Sequence, residues 1–184
     1  MGKEALPQMT IERSKRPLAA ARIATAARRL LDASTLCAIA TVSNGGRVHI
    51  NTAYFAWSRA FDVVWVSDSH ARHSRNLRAN DRVAIAIYDS SQTWGGPDRG
   101  IQLFGSAHEL AQPADRDAER IYANRFSEFG GADLGSYRFY CFHPRRLKLF
   151  DEHVLGAGVF VTARIGSKGG VTWERTEIYR GRSE

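Results

Sequence analysis

The chain has 184 residues, of which 43% are hydrophobic and 10% aromatic, and it carries a formal net charge of +7. This composition can build the core of a single domain and excludes an intrinsically disordered chain. The basic residues are spread along the chain, which favours a solvated basic surface and makes nucleic-acid binding a weak hypothesis, and no apolar run reaches the length of a membrane span.

The chain ends and the cysteines set the expected domain organisation. Residues 1–16 are polar and carry charges of both signs, so they do not resemble a secretory signal and we expect a flexible N-terminal tail. Residues 17–184 are expected to form a single domain. Cys37 and Cys141 lie in apolar runs without a zinc-ligand spacing, which is typical of buried thiols in a cytoplasmic protein.

The first half of the domain is predicted to contain a helix, a β-hairpin and a third strand. Residues 18–32 place their apolar side chains at helical spacing. Strands over 35–43 and 47–57 flank Asn44-Gly45-Gly46, whose residues tolerate positive φ and so predict a hairpin turn. A third strand covers 63–67, directly before a polar, arginine-rich segment.

The second half of the domain continues the pattern of strands with a few helices. The predicted elements are a helix over 69–80, strands over 82–89 and 100–110, a helix from Pro113 to about Phe126, a strand over 137–142 that His143-Pro144 breaks and that resumes over 147–150, and strand-like pieces within 159–179. Mostly antiparallel strands with a few helices predict a small β-barrel with helical decoration. No Gly-rich turn joins a strand to a helix, so a Rossmann dinucleotide site is not supported.

The junction between the third strand and the following helix is the best candidate site. Ser67 offers a hydroxyl, Arg72 and His73 offer side-chain donors, and a helix N-terminus presents free backbone N–H groups. Such donors can converge on a phosphate. The alternative is an ordinary helix N-cap formed by Asp68 or Ser69, with exposed basic residues behind it.

Motifs in this order resemble those of the pyridoxamine 5'-phosphate oxidase-like family of FMN-binding split β-barrel proteins. The matching phrases are His49-Ile50-Asn51-Thr52-Ala53-Tyr54-Phe55, Arg72-His73-Ser74-Arg75-Asn76-Leu77, Gly100-Ile101-Gln102-Leu103-Phe104-Gly105 and Lys148-Leu149-Phe150-Asp151. The resemblance covers about residues 18 to 160. It implies a mainly β fold with helices, a six-stranded antiparallel split barrel of Greek-key type.

The resemblance also implies a homodimeric flavoprotein, an oxidoreductase with FMN at each of two sites across the subunit interface. The residues that it assigns to the cofactor are Asn51, Thr52, Ala53 and Tyr54 beside the flavin ring, Val66, Ser67, Arg72 and His73 at the phosphate, and Gln102 at the flavin edge. For Asn51, Thr52 and Gln102, ordinary strand polarity is the alternative explanation. The substrate and any catalytic residue are not identified.

Two departures place the chain in the uncharacterised branch of this family. The basic pair is typically arginine-lysine in the oxidase, whereas the second member here is His73, which is only partly protonated at neutral pH. The lysine of the oxidase at the end of the second strand is absent from Tyr54-Phe55-Ala56-Trp57. A non-catalytic protein that binds flavin, haem or deazaflavin F420 on the same barrel remains the alternative.

Overall fold

The structure is a computed structural model that describes residues 9–111, 116–129 and 134–181. The strands in these ranges are β1 Met9–Ser14, β2 Leu36–Val42, β3 Val48–Trp57, β4 Val63–Asp68, β5 Arg82–Tyr88, β6 Arg99–Glu109, β7 Tyr137–Asp151, β8 Val159–Ile165 and β9 Val171–Gly181. The helices are α1 Ala20–Ala33, α2 Arg72–Ala79, α3 Arg116–Arg125 and α4 Glu152–Leu155, with a 3-10 turn over Ser127–Phe129. None of these helices is long and apolar enough to cross a membrane.

Six antiparallel strands close into a barrel. Neighbouring strands follow the order β7-β4-β3-β2-β5-β6, and β6 pairs again with β7 to complete the circle. Strands β8, β9 and β1 extend the sheet outward from β7. The predicted fold, a mainly β split barrel with helices, is confirmed.

The core fills the barrel and the space between the barrel and α1. Helix α1 buries one apolar face, which includes Ile23, Ala27 and Leu31, and these side chains join a cluster with Phe55 and Trp65 from the barrel. Full burial of an Ile, Leu or Phe side chain contributes about 1.5–3 kcal/mol of transfer free energy. Both cysteines are buried thiols, and burial raises the pKa of the Cys37 thiol to about 12.

The predicted flexible tail is wrong for residues 9–14. Strand β1 pairs antiparallel with β9 from Met9 opposite Gly181 to Ser14 opposite Thr176. Local sequence could not show this because β1 is mostly exposed and its order comes from backbone pairing with a distant segment. Residues 1–8 of the predicted tail lie outside the described ranges.

The predicted break at His143-Pro144 is also wrong, since β7 continues through both residues. The pairing with β6 shifts register here: Gly105 lies opposite Pro144, and Phe104 lies opposite Arg146. Proline lacks a backbone N–H, and a β-bulge is one of the few places in a sheet that tolerate it. The predicted helix start at Pro113 lies outside the described residues, and α2 begins at Arg72 instead of residue 69.

Candidate functional site

One edge of β3 is open along most of its length, which splits the barrel. Strand β3 pairs with β2 from Val48 to Tyr54, but with β4 only from Phe55 to Trp57. Beyond that point β4 pairs with β7 alone, Ser67 lying opposite Arg138. Within the described residues, no strand therefore pairs with this edge of β3 over residues 48–54.

The backbone of β3 presents hydrogen-bonding groups to the split. The N–H of Phe55 donates to the carbonyl of Thr35 on the β2 side, at 3.2 Å. Because backbone groups alternate in direction along a strand, the N–H and C=O of Thr52 and Tyr54 point to the opposite edge. The Asn51 side-chain amide approaches the Thr52 carbonyl at 3.5 Å. A planar ligand edge at this place can therefore be held by main-chain groups.

The N-terminus of α2 has no side-chain cap. Ala71 is the N-cap residue, so it has no side chain that could accept a hydrogen bond from the first turn. The predicted alternative, capping by Asp68 or Ser69, is therefore not what the structure shows. Asp68 instead accepts hydrogen bonds from the His70 N–H and the Ser136 hydroxyl, each at 2.6 Å. The hydrogen bond from Ser136 is the main cause of a lowered Asp68 pKa, followed by that from the His70 amide.

Ser67 and His73 form a polar contact at the end of β4. The Nε2 atom of His73 lies 2.9 Å from the Ser67 Oγ, and His73 is only 6% exposed. Burial lowers the pKa of His73, and the nearby His49 lowers it further. His73 is therefore mainly neutral at pH 7 in the absence of an anion, so it adds a hydrogen-bonding group without a permanent charge.

Arg72 is the first basic residue of α2. Its exposed side chain makes no hydrogen bond or ion pair with any described residue. Arg75 donates to the His70 carbonyl at 3.0 Å, and Arg78 pairs with Glu109 at 2.8 Å. An anion at the helix N-terminus thus has one free guanidinium beside it, in addition to the backbone dipole.

Asn76 has a structural contact. Its buried side-chain amide donates to the Thr41 hydroxyl at 3.0 Å, joining α2 to β2. It is therefore not directed toward a phosphate.

Gln102 lies apart from the other predicted site residues within one chain. The register places Thr52, Ala38, Ala86 and Gln102 in one row across β3, β2, β5 and β6. Three strand spacings separate Gln102 from Thr52 by about 14 Å. The remaining eight predicted residues lie on β3, at the end of β4 and at the start of α2.

Helix α3 contributes aromatic residues that the sequence interpretation missed. Phe126, which follows α3, meets the Tyr54 ring edge-on at 5.9 Å, and Tyr122 packs on Phe126 at 4.8 Å. Their i, i+4 spacing was the available signal, although it fits an ordinary packed helix equally well. Next to them lies a cavity of 640 Å³ lined in part by Trp57 and Arg125.

Comparisons with known proteins agree with this architecture. The family model described as pyridoxamine 5'-phosphate oxidase matches residues 23–151. A comparison with curated protein sequences finds no match.

Solved structures share the fold at low sequence identity. The heme storage protein HutZ from Vibrio cholerae is 18% identical, with a TM-score of 0.57 over 67% of this chain and 92% of that chain. A heme binding protein from Mycobacterium smegmatis is 18% identical, with a TM-score of 0.63 over 85% of this chain and 62% of that chain. A protein of unknown function from Agrobacterium tumefaciens is 17% identical, with a TM-score of 0.60 over 69% of this chain and 55% of that chain. The chain thus spans little more than half of the Agrobacterium protein.

Proposed function

Because the chain belongs to the pyridoxamine 5'-phosphate oxidase family, we propose that it binds FMN along the open edge of β3 and acts as a flavin-dependent oxidoreductase. The observation that carries this proposal is the uncapped N-terminus of α2 at the end of that edge. FMN combines a flat ring with polar edges and a terminal phosphate. The split offers main-chain groups for the ring and an anion site for the phosphate.

Each part of the site has a separate role in this proposal. Arg72, the Ser67 hydroxyl and the first amides of α2 hold the phosphate. The backbone of Thr52 and Tyr54 orients the ring, and the edge-on contact of Phe126 fixes the Tyr54 side chain. When bound, the flavin supplies the hydride chemistry, while the protein supplies orientation and hydrogen bonds. We expect the substrate and the electron donor to be small molecules.

The outer face of β2, β3, β5 and β6 supports a homodimer. Apart from Arg82 and Phe104 at the border of this face, its outward-facing residues are Leu36, Ala38, Ala40, Val42, Val48, Ile50, Thr52, Tyr54, Ala84, Ala86, Tyr88 and Gln102, and none of these is charged. Ile50 is 64% exposed and Val48 is 71% exposed. An exposed sheet face is normally polar, and a contiguous uncharged face indicates a contact surface.

A second copy of this chain is the occupant that fits this face. Alanines floor a cavity of 280 Å³, and Ile50 stands beside it as a ridge. A ridge beside a groove is self-complementary under two-fold symmetry, in which each copy offers the same patch. Gln102 lies on this face, so dimer formation is the route by which it joins a cofactor site.

Haem is the second candidate cofactor, and His70 is the observation that favours it. The His70 side chain is 84% exposed, and its Nδ1 lies 3.3 Å from Asp68 Oδ1. A carboxylate in this position orients an imidazole and leaves Nε2 available for a metal. The heme-binding structural relatives from Vibrio and Mycobacterium carry the same fold. Deazaflavin F420 is a third possibility that shares the ring and phosphate chemistry of FMN.

The absorption spectrum of the purified protein, before and after addition of each cofactor, tests the proposal. Saturable binding of FMN that is weakened in Arg72→Gln supports the flavin site. A protein that binds no FMN but gives a Soret band with haem, lost in His70→Ala, would replace it with the haem function. Reduction that depends on F420 where FMN fails would assign the deazaflavin.

A further inference from the structure

A second basic site lies away from the split. Four arginines line a groove of 450 Å³ at one end of the barrel: Arg82 on β5, Arg145 and Arg146 on β7, and Arg164 on β8. Phe104, Gly105 and Ser106 of β6 also line it. The volume falls within the range of small-molecule sites, about 300–1,000 Å³.

Two β-bulges shape this groove. On β7, Arg145 is the extra residue between Pro144 and Arg146, which lie opposite Gly105 and Phe104. A Cβ on Gly105 would lie 2.1 Å from the His143 carbonyl oxygen, so glycine permits the close approach of the two strands here. β-Bulges redirect side chains and occur often beside functional sites.

The second bulge lies on β9, where Glu174 has no partner on β8. Its neighbours Trp173 and Arg175 pair with consecutive residues of β8. The carboxylate of Glu174 contacts Arg146 at 2.9 Å and Arg164 at 3.2 Å. These two arginines lie directly opposite each other on β7 and β8, where like charges repel. Glu174 therefore reduces the charge repulsion between Arg146 and Arg164 only.

Glu174 does not pair with Arg82 or Arg145. Neither side chain makes an ion pair or hydrogen bond with another residue in the ranges that the structure describes. Asp81 also lines the groove, so four guanidinium groups face two carboxylates, Asp81 and Glu174. An anionic ligand is the partner that would balance the two excess charges.

The groove also offers an aromatic surface. Phe104 is 40% exposed, and its ring stands between this groove and the alanine-floored face. We propose that the groove binds a nucleotide, with its phosphates on Arg82 and Arg145 and its base against Phe104. Arginine matches phosphate oxygens through its planar fork, and an aromatic ring can stack on a base.

This site is distinct from the FMN site and does not depend on it. Arg82 follows the C-terminal end of α2, where its backbone N–H donates to Asn80, whereas the phosphate of FMN is assigned to the N-terminal end. The helix has eight residues, so its two ends are separated by about 12 Å.

Calorimetric titration with ADP of the wild-type protein and of Arg72→Gln, which removes the guanidinium from the proposed FMN phosphate site, tests the proposal. We expect saturable ADP binding that weakens at least tenfold in the double variant Arg82→Gln/Arg145→Gln. The matched control is Arg29→Gln/Arg47→Gln, which removes the same charge from two exposed side chains that make no hydrogen bond or ion pair with a residue in the described ranges, and it should retain the wild-type affinity. In Phe104→Leu, ADP should bind severalfold more weakly while the affinity for inorganic phosphate stays unchanged.

Four results would overturn the nucleotide site. ADP binding that is equally reduced in both double variants would reflect net charge alone. ADP binding that Arg72→Gln weakens as much as Arg82→Gln/Arg145→Gln does would place ADP at α2. If inorganic phosphate binds as tightly as ADP, the base contributes nothing to the binding free energy. The absence of saturable ADP binding to the wild-type protein would remove the site altogether.

Discussion

The imidazole of His73 lies 2.9 Å from the hydroxyl of Ser67, beside the N-terminal turn of α2. In the oxidase, the resemblance places a permanently charged lysine where this chain has His73. Burial and His49 both lower the pKa of His73, so the proposed phosphate site carries less fixed charge at neutral pH. We therefore expect the proposed FMN binding to depend on pH.

We predict that FMN binds more tightly as the pH falls from 8 to 6. The phosphate favours the protonated imidazole, so binding takes up a proton, and affinity rises as protons become available. A charge-assisted hydrogen bond contributes about 1.5–3 kcal/mol, and we expect a gain of up to about tenfold. Fluorescence titration of FMN at several pH values measures this change in affinity.

The matched variant for this prediction is His73→Lys, whose charge is constant over the same range. We expect His73→Lys to bind FMN more tightly than the wild-type protein at pH 8. The affinity of His73→Lys should change with pH only because the FMN phosphate itself titrates. Identical pH profiles for the wild-type protein and this variant would contradict the role of His73.

We predict that Arg72→Gln weakens FMN binding by about 10–100-fold, because it removes a charge-assisted contact worth about 1.5–3 kcal/mol. The control is Arg75→Gln on the same helix, whose guanidinium already donates to the His70 carbonyl. It should change the affinity by less than about twofold, the usual range for a surface charge. Equal losses in both variants would indicate a general electrostatic effect and move the phosphate elsewhere.

The parts of the site that are close in sequence could be predicted, because a strand followed by a helix start fixes their relative positions. Ser67, Arg72 and His73 are examples, and the alternation of β3 from His49 to Phe55 is confirmed. The groove around Arg145 could not be predicted in this way. It depends on a bulge and on the register between strands distant in sequence, which no local pattern reports.

The open edge of β3 illustrates the same limit. A pattern of alternating side chains predicts a strand but does not tell which of its edges is paired. The edge is open because β4 pairs with β3 at only three positions, from Phe55 to Trp57, and then continues with β7. The placement of Gln102 across three strand spacings is likewise a consequence of sheet order.

We predict that Ile50→Lys abolishes the proposed homodimer and weakens FMN binding at the same time. A lysine at this position would place a charge among the uncharged residues of this face, where desolvation is costly. Light scattering after size-exclusion chromatography measures the molar mass in solution and so distinguishes a dimer from a monomer. The control is Ile11→Lys on the edge strand β1, which is 55% exposed and lies outside this face. A wild-type protein that is monomeric at all concentrations would contradict the proposed dimer.

We predict that Asn76→Leu and Thr41→Val each lower the free energy of unfolding by about 1–3 kcal/mol, because each leaves one buried polar group unpaired. The double variant should recover part of this loss, since both partners of the Asn76–Thr41 hydrogen bond are then apolar. Urea denaturation of the four proteins gives the coupling free energy. Strictly additive losses would show that the two side chains do not interact.

Finally, we predict that the cofactor-free protein loses stability as the pH falls below about 6.5, the pKa of an unperturbed histidine. His73 has a lowered pKa in the folded state because it is buried, so the unfolded chain binds a proton more readily. The stability from neutral His73 is complete above the unfolded pKa and declines as pH falls toward the folded pKa, by at most about 1.4 kcal/mol per pH unit.

His108 also has a pKa lowered by burial, so the decisive quantity is the difference between the wild-type protein and His73→Gln, in which His108 is unchanged. The free energy of unfolding of the wild-type protein, measured by urea denaturation from pH 7.5 to 5, should fall relative to that of His73→Gln. A constant difference over this range would show that His73 titrates alike in the folded and unfolded states.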